Sequence, residues 1–120
     1  MRFRRVLDLT LAIALAACGG SDSPSAPIIP STPDAPVATT SVSLQNNLFN
    51  PANIVVAPSA VVTFSNNDGI NHNVIFASQN IASITEWAAG TRTATMPAAP
   101  GTYSYTCTIH AGMSGTIKVQ

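Results

Sequence analysis

Pro100-Gly101-Thr102-Tyr103-Ser104-Tyr105-Thr106-Cys107-Thr108-Ile109-His110-Ala111-Gly112-Met113-Ser114-Gly115 decides how this chain folds. Pro100-Gly101 is a turn signal, and Thr102 to Cys107 alternates as a strand with one covered face does. Side chains two apart in a strand share a face, so Cys107 lies with Tyr103 and Tyr105 on the apolar, inward side. A loop with Gly112 follows, and Thr116 to Val119 reads as a closing strand with Ile117 and Val119 together and Lys118 opposed.

The same period runs upstream. Val42 and Leu44 alternate with polar neighbours, and Ile54-Val55-Val56 stands between Asn50-Pro51 and Pro58-Ser59. Val62 and Phe64 alternate with Thr63 and Ser65, and Asn66-Asn67-Asp68-Gly69 is a turn leading into His72 to Phe76. Gly90 opens a run that ends on Met96, which reads as core. Residues 77–89 show no clear pattern, and Trp87 within them reads as packing. No stretch has helical periodicity. Short alternating runs separated by turns predict an all-β sandwich or barrel over residues 41–120.

Chemistry gathers on the same stretch. Cys107, His110 and Met113 stand at intervals of three, and His72 lies upstream in Asn71-His72-Asn73-Val74. The chain has two histidines, two cysteines and three methionines, one of them the initiator, so nearly all its soft donors fall in this pattern. Two imidazoles, one thiolate and one thioether are the ligand set of a mononuclear blue-copper site, a compromise between the tastes of Cu(I) and Cu(II). Cys107 is expected to give the strong bond, His72 the buried imidazole, His110 the exposed one and port for electrons, and Met113 the long axial contact. His72 and Cys107 can meet only if their strands are neighbours. Gly112 and Gly115 are expected to supply unusual backbone angles to the loop.

Here the chain resembles the cupredoxins. Asn71-His72-Asn73-Val74 is similar to the His-Asn-Val segment of plastocyanin and amicyanin, and Pro100 to Cys107 to their Pro-Gly-Thr-Tyr-x-Tyr-x-Cys strand. The interval Cys107, His110, Met113 resembles the short amicyanin loop. The resemblance covers residues 41–120 and implies a Greek-key β-sandwich holding one type 1 copper ion, a one-electron carrier and not an enzyme. It also implies that Asn73 hydrogen-bonds toward Thr108 and ties the two ligand segments together. Ile109 departs from the family, which commonly has proline there. Proline lacks an amide hydrogen and isoleucine has one, so Ile109 is expected to donate it to the Cys107 sulfur and favour the reduced site.

The first 40 residues are of another kind. Arg2, Arg4 and Arg5 precede an apolar stretch, Leu9 to Ala17, too short to cross a bilayer. Leu15-Ala16-Ala17-Cys18 resembles a bacterial lipobox, so residues 1–17 are expected to be a lipoprotein signal peptide and Cys18 the lipidated residue. Residues 18–40, rich in Ser and Pro, read as a disordered tether. The expectation is a monomer anchored by lipid in the bacterial cell envelope, facing the periplasm or the outside. With Cys18 carrying lipid, Cys107 has no disulfide partner, and metal ligation is one way to protect such a thiolate.

Without residues 1–17 the charges are Arg92 and Lys118 against Asp22, Asp34, Asp68 and Glu86, a net of 2 − 4 = −2. Such a chain has little to neutralise a phosphate backbone, so nucleic acid is not an expected partner. Redox proteins docking on an apolar surface around His110, formed by Ile109, Ala111, Gly112 and Met113, are. Two alternatives stay open at this level: copper binding and delivery, and a non-redox interaction module on the same fold. The first usually goes with Met-rich or His-rich segments, which this chain lacks, and the second with lost ligands, whereas all four are present. Zinc takes Cys-His sites but suits a weak thioether poorly.

Overall fold

The computed structural model describes residues 35–120. The leader, Cys18 and most of the stretch read as a tether lie outside the described residues. Ten strands are described: β1 (Val37–Ala38), β2 (Ser41–Gln45), β3 (Leu48–Asn50), β4 (Asn53–Val56), β5 (Val61–Asn66), β6 (His72–Phe76), β7 (Ile84–Trp87), β8 (Gly90–Thr95), β9 (Gly101–Thr106) and β10 (Ser114–Val119). They form two sheets, of order β1-β4-β10-β9-β6-β7 and β3-β2-β5-β8. The architecture is the all-β sandwich that the alternation requires.

The inward faces are those the sequence marks. Val42, Leu44, Ile54, Val62, Phe64, Val74 and Ile117 are at most 1% exposed, each next to a more exposed neighbour on at least one side. Phe49 and Phe64 from the smaller sheet meet Phe76 and Tyr105 from the larger in a cluster of edge-on and tilted rings. The closest pair, Phe49 and Tyr105, has centroids 4.8 Å apart. Such geometries suit the ring quadrupoles and add to area burial. Met96 and Trp87 belong to the core, at 2% and 5% exposure, and the Trp87 indole N–H donates to the Gly90 carbonyl at 3.1 Å.

Three strands escape the alternating pattern. β3 follows a two-residue turn at Asn46-Asn47, whose φ values of 55° and 57° are those of a type I′ hairpin. β7 pairs with β6 across an irregularity between His72 and Val74, and its buried residues, Ile84 and Trp87, are three apart, so no period of two is visible. β1 pairs in parallel with β4, Val37 opposite Ile54, within the stretch read as tether.

What matters for function is the pairing of β6 with β9. They are antiparallel neighbours, Ile75 opposite Thr106 and Phe76 opposite Tyr105. That register brings the start of β6, with His72, beside the end of β9, with Cys107.

Candidate metal centre

His72, Cys107 and His110 converge at one end of the sandwich, with one ligating atom from each within 4.8 Å of the others. Cys107 Sγ lies 3.8 Å from His72 Nδ1 and 3.7 Å from His110 Nδ1. The two imidazole rings have centroids 4.6 Å apart, tilted by 53°. His72 is fully buried, Cys107 is 2% exposed and Met113 0%, whereas His110 is half-buried. Among the described residues Cys107 is a free thiol.

The loop is built to hold this shape. Cys107 sits one residue beyond the end of β9, and its amide donates to the Met113 carbonyl at 2.9 Å. The same carbonyl accepts the Thr106 hydroxyl at 3.0 Å, and the Met113 amide donates to the His110 carbonyl at 3.4 Å. Residues 107–113 are thus a loop closed at its neck. Gly112 has φ +80°, as the tight loop requires. Gly115 corrects the sequence reading: its backbone angle is ordinary, and it is glycine because a Cβ there would collide with the Ala52 carbonyl and the Tyr105 phenol. That phenol donates to the Ala52 carbonyl at 2.7 Å directly above it, and burial pushes its pKa up.

Asn73 joins the two ligand segments. Its amide nitrogen donates to Thr108 Oγ1 at 2.8 Å, and its oxygen accepts the Thr108 amide at 2.9 Å. Asn73 is itself 7% exposed but Thr108 lies at the surface, so both bonds are partly shielded from water. Ile109, at 40% exposure, lies on the outside of the loop. Met113 does not contribute to the surface around His110, because it is fully covered.

Asp68 and Asn66 are site residues that the sequence presents only as turn formers. Asp68 Oδ2 lies 2.8 Å from His72 Nε2. Asn66, 4% exposed, donates to the carbonyls of Ile70 and Trp87 at 2.8 and 2.7 Å and accepts the Asp68 amide at 3.1 Å, which pins the β5–β6 loop. Burial would raise the Asp68 pKa, but hydrogen bonds from the amides of Asn47 and Asn46 and from His72 outweigh it and hold the carboxyl below its ordinary value. The one signal in the sequence is an acid four residues ahead of a candidate ligand.

These residues fit a copper ion. Nitrogen and sulfur bind a late first-row ion at about 2.0–2.3 Å. Two donors on one ion then stand no more than about 4.3 Å apart. The sulfur–nitrogen separations of 3.8 and 3.7 Å fall inside that, and all three atoms lie within 4.8 Å of one another. The sulfur and the nitrogens are too far apart to bond strongly to one another, and the ring nitrogens facing the sulfur are both Nδ1. One thiolate, two imidazoles and a buried thioether from the same loop make the type 1 donor set, His72, Cys107, His110 and Met113.

Fold and site together define a cupredoxin. The chain belongs to the family of copper binding proteins of the plastocyanin/azurin type, whose pattern matches residues 37–120. It is 29% identical over 116 residues to amicyanin-alpha of Methylorubrum extorquens, a match covering 93% of this chain and 98% of that one. Its fold is similar to that of a methionine-to-alanine mutant of amicyanin in the Cu(I) form, with a TM-score of 0.61 at 21% identity over 72% of this chain and 87% of that one. It is also similar to a purple cupredoxin from Nitrosopumilus maritimus, with a TM-score of 0.60 at 20% identity over 67% of this chain and 98% of that one.

Proposed function

We propose that this protein is a one-electron carrier of the bacterial envelope that works through a type 1 copper site and docks its redox partners over His110. The observation that carries this is the meeting of one sulfur and two Nδ1 atoms within 4.8 Å, from two strand ends and a loop. Copper, when bound, supplies the one-electron couple. The chain's part is to hold donors that suit both oxidation states in a closed loop, so that little has to move. His72 is sealed inside, while His110 is half-buried and is the ligand through which an outside partner reaches the site.

The surface at this end suits brief, weakly charged encounters. Ile109 and Ile70 are 40% and 45% exposed, on the ligand loop and on the loop entering β6, and Ala111 and Gly112 are exposed between His110 and Met113. Interfaces of this sort sit at the small end of the size range. The chain acts as a monomer held to a membrane by lipid on Cys18, with residues 18–40 as a spacer. The lipobox-like Leu15-Ala16-Ala17-Cys18 supports that anchoring.

Voltammetry of the copper-loaded protein tests the carrier role. A reversible one-electron wave, with copper retained against a competing chelator in both oxidation states, is the expected result. Rapid loss of Cu(I) to the chelator would favour copper delivery instead. Anchoring is tested separately: Cys18→Ser should move the protein from the membrane to the soluble fraction, and an unchanged distribution would contradict it.

A further inference from the structure

Three donors from two separate places converge on the carboxylate of Asp68. Its Oδ1 accepts the Asn46 amide at 2.6 Å and its Oδ2 the Asn47 amide at 3.0 Å, and Oδ2 also faces His72 Nε2 at 2.8 Å. Asn46 and Asn47 are the two turn residues of the β2–β3 hairpin, both in the left-handed region, so their successive amides present a small anion-binding concavity. The Asp68 amide is tied in turn to buried Asn66 at 3.1 Å. The carboxylate is therefore placed by the hairpin turn and by the β5–β6 loop, independently of the histidine it touches. The His72 side chain is 0% exposed and that of Asp68 only 11%.

An ionised carboxylate only accepts hydrogen bonds, so the proton of a neutral His72 must sit on Nε2. The Nδ1 lone pair is then free on the side that faces Cys107 Sγ, 3.8 Å away. We infer that Asp68 is a positioning residue for the copper centre: it fixes the tautomer and tilt of His72 and, through its negative charge, favours the more highly charged Cu(II). Asn46-Asn47 is then a rest for that carboxylate as well as a hairpin turn. The inference rests on the copper reading given above.

The test uses the copper-loaded protein and Asp68→Asn, which keeps shape and removes charge. At a fixed electrode potential the Cu(I)/Cu(II) ratio should rise about tenfold, an upward shift in midpoint of about 59 mV for one electron. Asp68→Glu, which restores charge, should recover part of it. Asn67→Ala is the control, since it removes only an exposed 2.8 Å bond from Asn67 to Ser43 in the same loop and should leave the potential in place. In the metal-free protein, where no copper occupies Nδ1, nitrogen–proton spectra should show the His72 ring proton on Nε2, slow to exchange, and exchanging about tenfold faster in Asp68→Asn. An unchanged potential in a folded Asp68→Asn, an equal shift in Asn67→Ala, or a native ring proton on Nδ1 would each overturn the inference. The last needs no variant and decides the matter even where Asp68→Asn does not fold. A native protein without a charge-transfer band would instead sink the copper reading itself.

Discussion

His72 and His110 offer the same atom, Nδ1, to the same sulfur at 3.8 and 3.7 Å, yet the chain builds the two positions by opposite rules. His72 starts a strand, is fully buried, and has its far nitrogen engaged by Asp68. His110 rides a short loop, is half-buried, and owes its place to the loop's own closure between Cys107 and Met113. One half of the centre is part of the core and the other is a flap across it. A carrier needs both: a fixed half that keeps the geometry through the redox change and an accessible half through which the electron passes.

The largest expected effect removes the atom the two halves share. Cys107→Ala should abolish the intense visible absorption of the Cu(II) protein, leaving at most weak colour from the imidazoles, and a retained band would mean that the sulfur is not a ligand. Next, His72→Gly and His110→Gly should part company when free imidazole is added. The His110 position, half open to solvent, should accept the added ring and recover its colour, whereas the sealed His72 position should not. Equal rescue at both sites would break the contrast.

Smaller effects probe how each half is supported. Gly115→Ala forces a methyl into the Tyr105 phenol and the Ala52 carbonyl and should cost about 1–3 kcal/mol in urea unfolding of the metal-free protein. Gly112→Ala meets open space and carries only the left-handed penalty of about 1–2 kcal/mol. Ile109→Pro deletes an amide next to the sulfur ligand. Among the described residues the sulfur faces His72 and His110, and that amide makes no hydrogen bond to it, unlike the expectation from sequence. Voltammetry should therefore show little change in potential. A fall of about 40 mV, the equivalent of a net hydrogen bond of about 1 kcal/mol, would show that the bond forms with copper bound. The least effect is expected from salt: reduction rates with a neutral partner surface should vary little with ionic strength, and a steep dependence would point to a charged docking site.

The fixed half is largely legible in the amino-acid sequence. Alternation at Val42-Leu44, Val62-Phe64 and Tyr103-Tyr105 locates inward faces, and parity alone puts His72 and Cys107 on the same side. The Asn73–Thr108 link, implied by resemblance, is present with both hydrogen bonds. What stays hidden has physical causes. β3 is three residues long and β7 is paired across an irregularity, so neither carries a period. Gly115 reads as a source of unusual backbone angles because sequence cannot show which backbone a distant tyrosine crosses. Asp68 reads as a turn former because its work depends on a hairpin more than twenty residues away. Met113 reads as part of the docking surface, since sequence spacing says nothing of which side of the loop faces inward.

The most direct measurement is an optical titration of the reduced, metal-free protein with Cu(II). An intense visible charge-transfer band that saturates at one ion per chain and bleaches fully with reductant is the result this geometry requires. Weak absorption, saturation at another ratio, or a band that survives in Cys107→Ala would show that the sulfur and the two imidazoles do not share one copper ion.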